Sequence, residues 1–189
     1  MEECDKDTLF YYVNRKRHNP NDKMRYNIPI DVITYTENVL LEYSNMNPAN
    51  EGMVYWCGIK ENGIMNTSMV IAPKTESNSG RVSVSNRANF DVIGLLSEYN
   101  LIQIGQVHSH PGNWVDHSYG DDNMAAFKIE GLLSIVVPIY GVHGMRPLWM
   151  CGIHRYTNNN FIRLSNRYIK KHIIINDSIT DVVFKDLRI

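Results

Sequence analysis

The stretch GQVHSHPGNWVDHSYGDD, residues 105–122, constrains the fold of this chain more than any other part of its sequence. His108 and His110 close a β-rich run, and the two-residue period of a strand points both imidazoles to the same side. Further on, Ser118 and Asp121 open a segment with helical spacing and an acidic first turn. The stretch therefore predicts a strand, a loop and a helix in that order, with three metal-binding side chains close together at the junction.

These side chains have the chemistry of a catalytic metal site. Two imidazole nitrogens are too few for zinc, which in catalytic sites takes three protein ligands and leaves a fourth position open. Asp121 is well placed to be the third ligand, because the first turn of a helix favours a carboxylate. Zinc held in this way lowers the pKa of its water to roughly 7 and supplies a nucleophile at neutral pH. Such a site also needs a general base and a donor for the oxyanion.

The rest of the chain indicates one domain of mixed helix and strand. Its 189 residues are 43% hydrophobic, which suffices for one well-buried core. Helical and alternating hydrophobic patterns predict elements along the chain. We expect helices over 32–43, 89–99 and 121–129, a hairpin of strands 53–59 and 64–72 around the turn Glu61-Asn62-Gly63, a short strand over 81–85 within a polar loop, and strands over 101–107, 132–140, 148–153 and 161–164.

Charge and composition exclude several classes of function. The 19 basic and 20 acidic residues leave a formal net charge of -1, so no overall field draws the chain to nucleic acid or to an anionic membrane. The three cysteines are far apart and form no CxxC pair, which argues against a disulfide framework or a thiolate zinc site. No apolar run approaches the ~20 residues that span a bilayer, and the acidic N-terminus lacks the apolar core of a signal peptide. We therefore expect a cytoplasmic protein with neither nucleic-acid nor membrane partners.

The pattern H-x-H-x7-S-x2-D, which runs from His108 to Asp121, resembles the zinc-binding motif of the JAMM (MPN-plus) metalloprotease family. Glu51, followed by a strand that ends in Gly58, matches the position of that family's catalytic glutamate. The resemblance covers roughly residues 28–164. It implies an α/β fold of the cytidine-deaminase-like, three-layer type, with a curved, mostly antiparallel sheet flanked by helices.

The two ends of the chain lie outside this resemblance. Residues 1–27 contain the basic cluster Arg15-Lys16-Arg17-His18 and a turn-rich segment, and we expect them to form a solvated or loosely docked N-terminal extension. Residues 165–189 form a C-terminal extension that mixes basic and β-branched residues, and its pattern predicts no particular element.

The resemblance assigns a role to each residue of the site. It implies that the two histidines and Asp121 bind one Zn²⁺ per chain. Glu51 takes a proton from the attacking water and passes it to the leaving amine, and the Ser118 hydroxyl stabilises the tetrahedral oxyanion. Position rather than spacing selects the glutamate, so Glu61 in the hairpin turn and Glu76 in the polar loop are the alternatives.

The resemblance also implies a class of substrate. The commonest reaction in this family is hydrolysis of an isopeptide or peptide bond after the C-terminal tail of ubiquitin or a ubiquitin-like protein. The polar segment before the second predicted helix lies where relatives carry an insertion that pairs with this tail. We therefore expect Arg81, Val82, Ser83 and Val84 to bind the tail as an added strand. Trp114 either contacts the substrate too or packs as a lid on the motif loop.

The connection over residues 141–147 is short and lacks the second insertion with which some relatives select a polyubiquitin linkage. This is typical of small, stand-alone bacterial enzymes, which resemble the deconjugating members of ubiquitin-like modification operons associated with antiphage defence. The resemblance thus implies a ubiquitin-like protein or its conjugates as the partner, together with cognate activating and conjugating enzymes. Processing of a linear ubiquitin-like or sulfur-carrier precursor uses the same chemistry and stays open.

Other interpretations of these residues stay open as well. A metal-free scaffold of the MPN type would bind a partner and cleave nothing, but it predicts that zinc ligands are missing. Ser118 and Asp121 also match the Ser-x-x-acid pattern of a helix capping box, which needs no metal. A serine hydrolase is disfavoured because the chain has no G-x-S-x-G nucleophile elbow. We expect Asp116 and His117 to support the site or face solvent, and Asp122 to be a helix-start charge.

Overall fold

A computed structural model describes residues 15–123, 125–177 and 181–189 of the chain. The strands in this part are β1 (Arg25–Pro29), β2 (Met53–Glu61), β3 (Ile64–Ala72), β4 (Thr75–Asn78), β5 (Arg81–Val84), β6 (Ile102–Ser109), β7 (Leu133–Val137), β8 (Gly152–Thr157), β9 (Asn160–Arg163), β10 (Ile173–Asn176) and β11 (Val183–Asp186). The α-helices are α1 (Ile30–Ser44), α2 (Asn86–Glu98), α3 (Tyr119–Asn123) and α4 (Asn166–His172), and two short 3-10 turns cover Ile139–Gly141 and Leu148–Met150.

The described strands form one large sheet and a separate hairpin of β4 and β5. Eight strands of the large sheet follow the order β10-β1-β3-β2-β6-β7-β8-β9, and β11 pairs with β3. Four pairings are parallel, namely β1 with β10, β1 with β3, β11 with β3, and β6 with β7. The other four are antiparallel. The sheet is therefore mixed, and the expectation of a mostly antiparallel sheet is wrong, because strands near both ends of the chain add parallel pairings.

Helices cover both faces of this sheet because strand residues alternate between two cores. On β2, Val54 and Trp56 point into the larger core, which α1 and α4 cover. Tyr55 and Cys57 point the other way, into a smaller core with Val92 of α2. Register shifts on either side of Cys57 place bulges in β2, and the sheet curls into half a barrel. The α/β class is confirmed.

The hairpin of β2 and β3 is confirmed as the sequence predicts it. Asn62 and Gly63 turn the chain with φ angles of 49° and 79°. Left-handed backbone at both central residues is what the tightest hairpin turns need, and Asn-Gly adopts it at little cost.

Three predicted elements have different bounds in the structure. Of the helix expected over 121–129, only the short α3 forms, and residues 125–129 lie outside it. In this segment Phe127 packs against Tyr55, whereas Ile129 is exposed. The strand expected over 132–140 ends at Val137. The one expected over 148–153 begins as a 3-10 turn after Pro147 and becomes strand only at Gly152.

Both predicted extensions contribute to the fold. β1 begins at Arg25 and runs parallel to β3, while β10 and β11 come from the C-terminal extension and join the same sheet. Further upstream, His18 forms a β-bridge with Leu164. The expectation of a solvated or loosely docked N-terminal extension is therefore wrong for residues 25–27, which lie in β1, whereas the side chains over 16–19 and 21–23 are exposed. Among the described residues, none of the helices is long and apolar enough to cross a membrane.

Candidate metal centre and the cavity above it

Two of the predicted metal ligands lie where β6 ends. His108 is in β6, His110 follows it directly, and both side chains are buried. Their Nε2 atoms are 3.2 Å apart. This is the outcome that the two-residue period of a strand predicts for histidines at positions i and i+2.

Asp121 reaches the same point from α3. Its Oδ1 lies 3.1 Å from His108 Nε2, and its Oδ2 lies 3.5 Å from His110 Nε2. One ligand atom from each residue can be chosen so that all lie within 4.8 Å of one another. Burial alone would raise the pKa of the Asp121 carboxyl, but the two histidines outweigh it and hold this pKa well below its ordinary value. The three side chains therefore form a group that can hold a metal ion.

A backbone contact fixes the orientation of His110. Its Nδ1 lies 3.1 Å from the carbonyl oxygen of Trp114, so Nδ1 carries the proton and Nε2 keeps a free lone pair. The Trp114 indole also stacks on the imidazole, with ring centroids 5.2 Å apart and an angle of 13° between the planes. Trp114 thus packs on the motif loop, and it also lines the cavity above the ligands.

Glu51 faces the ligands across the pairing of β2 with β6. That pairing places Met53 opposite His108 in antiparallel register, and the same register extended by two residues places Glu51 opposite His110. Because alternate residues share a face, all four of these side chains lie on one side of the sheet. Each of them lines the same cavity.

The surroundings of Glu51 suit proton transfer. Its side chain is buried, and burial raises the pKa of the carboxyl to about 7, with the charge of Asp121 adding to the rise and His110 opposing it. A pKa near neutrality suits a group that both accepts and returns a proton. Glu61 and Glu76 are exposed, and neither lines the cavity. Of the three candidate glutamates, the structure brings only Glu51 to the histidines.

The cavity has a volume of about 830 Å³, which is within the usual range for ligand sites. Every residue predicted for metal binding, catalysis or substrate contact lines it. These residues are His108, His110, Asp121, Glu51, Ser118, Trp114 and Arg81–Val84. The strand expected over 81–85 is β5, and through it the β4–β5 hairpin lines the same cavity as the predicted ligands.

Ser118 caps α3 and lines the cavity at the same time. Its Oγ accepts a hydrogen bond from the Asp121 N–H at 3.2 Å, and the Asp121 carboxylate accepts one from the Ser118 N–H at 2.7 Å. This reciprocal pair is a capping box with aspartate as the acid. It also holds the Asp121 carboxylate in place beside the histidines. The cap and the candidate metal-binding group therefore coexist.

A chain of buried hydrogen bonds supports the site from behind. His117 Nδ1 lies 2.9 Å from Asp122 Oδ1, and His117 Nε2 lies 2.9 Å from Ser134 Oγ. Gln106 Nε2 donates to the same Ser134 oxygen at 3.0 Å. The guanidinium of Arg15 pairs with Asp122 at the far end. Asp122 is thus an anchor for two partners, more than the helix-start charge expected of it.

The hydrogen bonds from Ser134 through His117 to Asp122 have the order of a Ser-His-Asp triad, but they support the site and do not form a nucleophile. Burial lowers the pKa of His117, so the ring is neutral, donates to Asp122 and accepts from Ser134. Ser134 is fully buried, so its hydroxyl faces no substrate. A serine-hydrolase reading gains nothing from this arrangement.

Asp116 is the centre of a second buried cluster. Its carboxylate lies 2.6 Å from His154 Nε2 and accepts from Arg163 at 2.9 Å and from the His117 N–H at 3.0 Å. The Arg15 N–H donates to it as well. Burial would raise the pKa of Asp116, but these partners outweigh burial and lower it. Burial lowers the pKa of His154 to about 3, so a neutral His154 donates Nε2–H to the ionised carboxylate.

Sequence reasoning missed Arg15, Ser134, His154 and Arg163. They come from four separate segments, and no local spacing connects them to the motif. The sequence does carry a signal for His154 and Arg163. His154 and Arg163 interrupt apolar strand patterns, and a titratable side chain inside such a pattern needs a buried partner.

Comparisons with known proteins bear on the fold. No protein-family model matches the sequence, and no curated protein matches it. The chain is similar in structure to protein DSY2949 from Desulfitobacterium hafniense, known from a solution structure, with a TM-score of 0.59. The similarity covers 81% of this chain and 94% of that one at 12% sequence identity. At this identity the likeness shows a shared fold.

Proposed function

We propose that this protein is a zinc metallopeptidase of the JAMM (MPN-plus) type, with the α/β fold of that family. Its reaction is hydrolysis of the isopeptide or peptide bond that follows the C-terminal tail of a ubiquitin-like protein. One observation carries the proposal. A buried glutamate, two histidines, an aspartate and a serine from three separate segments line a single cavity beside a short hairpin.

The donor set favours zinc among the common metal ions. Two imidazole nitrogens and one carboxylate oxygen match the three protein ligands of catalytic zinc sites and leave one position open. The His110 proton lies on Nδ1, where the Trp114 carbonyl accepts it, so Nε2 is ready to bind a cation. Calcium and magnesium prefer all-oxygen sites, which this group does not provide.

The residues of the chain divide the remaining chemistry. Zinc at this position supplies Lewis acidity that makes water a nucleophile at neutral pH. Glu51 accepts a proton from the attacking water and donates it to the leaving amine, a role that its buried side chain in the same cavity as the histidines supports. The Ser118 oxygen accepts from Asp121, so the hydroxyl proton remains for an oxyanion.

The hairpin supports an extended peptide as substrate. Arg81–Val84 line the cavity, and among the described strands β5 pairs with β4 alone. A tail that adds a strand at β5 would run along the wall of the cavity that holds the metal ligands.

Glu51→Gln tests the mechanism directly. We expect the variant to keep its zinc and its fold but to lose at least ~10²-fold in kcat, the lower range for general acid–base groups. The assay follows release of a fluorescent peptide fused to the C-terminal tail of each member of a panel of ubiquitin-like proteins, with lysine-linked conjugates in parallel. Glu61→Gln is the matched control, because Glu61 is exposed at the opposite end of β2 and should leave kcat unchanged.

Two results would contradict the proposal. The metal site would be excluded if the wild-type protein bound less than one zinc ion per chain and the His108→Ala variant bound as much zinc as the wild type. Full zinc occupancy without cleavage of any panel member or conjugate would favour a scaffold that binds partners and cleaves nothing.

A further inference from the structure

The segment that follows β7 has an unusual backbone. Ile139 and Tyr140 both have positive φ angles, 51° and 52°, although neither is glycine. This left-handed region is disfavoured for side chains with a Cβ, and most of all for β-branched ones such as isoleucine. Two such residues in succession persist only where the surrounding structure holds them.

Backbone hydrogen bonds hold Ile139 and Tyr140 against the loop over residues 110–118, which is called the metal-ligand loop below. The Tyr140 N–H donates to the carbonyl oxygen of His110 at 2.7 Å, and the Ile139 N–H donates to that of Gly112 at 3.0 Å. The His110 N–H in turn donates to Val137 at 2.9 Å. The strained turn is therefore joined directly to the loop that carries a metal ligand.

The side chain of Tyr140 reaches in the other direction, to the tip of the β4–β5 hairpin. Its hydroxyl donates to the carbonyl oxygen of Ser79 at 2.6 Å. The neighbouring carbonyl, that of Asn78, accepts from the Glu51 N–H at 2.9 Å. The tip is thus held at two adjacent carbonyls, by Tyr140 and by the backbone of the buried glutamate.

We propose that Tyr140 is a positioning residue that fixes the β4–β5 hairpin relative to the metal-ligand loop. The left-handed backbone lets one residue bond His110 with its N–H and the hairpin with its hydroxyl. The rigid phenol and the Glu51 N–H together set the distance between the hairpin wall and the metal ligands, and of the two only the phenol is a side-chain contact. Tyr140 also sets the register in which an extended tail reaches the site; this role in substrate binding rests on the proposed function.

Tyr140→Phe removes one hydroxyl and keeps the ring and all backbone contacts. Hydrogen exchange followed by mass spectrometry should show amides of residues 75–84 exchanging faster by roughly 2- to 12-fold, the range that one net hydrogen bond provides. Zinc stoichiometry should stay at the wild-type value, because the bond to His110 comes from the backbone. Tyr35→Phe is the matched control, since Tyr35 stacks on Phe184 at 5.1 Å on another part of the molecule.

Kinetic measurements test whether Tyr140 sets the register of the bound tail. With a tail-fused peptide, Tyr140→Phe should raise KM by a similar factor and leave kcat within about twofold, and the products should include a second cleavage position. Unchanged exchange in the hairpin of Tyr140→Phe would overturn the proposal that Tyr140 tethers the hairpin to the metal-ligand loop, and so would loss of zinc from this variant. Faster exchange with wild-type KM and a single product would overturn the register role. If the wild-type protein cleaves nothing, the proposed function and the register role fail together, while the exchange data still decide the tether.

Discussion

At the start of α3, the Ser118 oxygen accepts a hydrogen bond from the Asp121 N–H and still retains its own hydroxyl proton. Capping and the proposed oxyanion binding would therefore use different parts of one hydroxyl group. The sequence offers these two functions as alternatives, whereas the geometry permits both. They differ in what their loss should change, because a cap contributes to stability and an oxyanion donor contributes to rate.

Ser118→Ala separates these contributions. We expect kcat to fall by about 10²–10³-fold, as for other oxyanion donors, and the free energy of unfolding to fall by about 0.5–2 kcal/mol through loss of the cap. Ser165→Ala is the control, because Ser165 caps α4 by accepting from the Tyr168 N–H at 3.1 Å. This control should lose similar stability with no loss of kcat. A Ser118→Ala enzyme with wild-type kcat would restrict Ser118 to capping.

Residues of the site differ in how well the sequence predicts them. His108, His110 and Asp121 follow from local spacing, because the strand period and the helix start fix where they point. Glu51 needs a resemblance, since its place opposite His110 depends on the register of two strands far apart in sequence. Arg15, which pairs with Asp122, follows from neither, because only the closed fold brings it to α3.

Among the elements, β5 has a geometry that suits strand addition. The β4–β5 hairpin turns through two residues, and Asn78 pairs with Arg81 across the turn. In such a hairpin the pair beside the turn is hydrogen-bonded and the next pair is not. The backbone groups of Val82, which pairs with Ser77, therefore point away from β4. Those of Val84 also point away, but the Val84 carbonyl already accepts from Asn89 at 3.3 Å.

Val82→Pro tests this edge. Proline removes the outward N–H of Val82 and leaves the bonds to β4 intact, so we expect KM for a tail-fused substrate to rise at least about fivefold with little change in kcat. Ser77→Pro is a matched control, because it places the same substitution at the paired position and removes an N–H on the opposite edge of the hairpin. Equal effects of the two variants would show that general distortion, and not lost pairing with a tail, raises KM.

The element pattern explains where sequence reasoning fails. The β2–β3 hairpin is predictable because an Asn-Gly turn separates two alternating runs. The parallel strands β1, β10 and β11 are not predictable in this way, because β1 pairs with β10 from the other end of the chain and β11 pairs with β3, far from it in sequence. No short-range signal marks such contacts.

For the molecule as a whole, Asp116 connects distant parts of the chain. Its carboxylate contacts the N-terminal segment at Arg15, strand β8 at His154 and strand β9 at Arg163. All of these contacts are made by the ionised form, and Asp116 itself is fully buried. Removing one partner from a buried charge cluster strongly destabilises a protein, because the remaining charge loses its compensation. Asp116 should therefore contribute to global stability in a way that depends on pH.

Asp116→Asn should lower the free energy of unfolding at pH 7 by about 3–5 kcal/mol. Because the folded state lowers the pKa of Asp116, its contribution is complete above the unfolded pKa of about 3.9 and is lost as pH falls towards the folded value. Urea denaturation should therefore show the difference between wild type and variant shrinking below about pH 4. In Asp91→Asn, the control, an exposed pair with Arg87 at 3.8 Å is lost, and stability should change by less than about 0.5 kcal/mol. A difference that stays constant down to pH 2 would mean that Asp116 acts through packing and not through its charge.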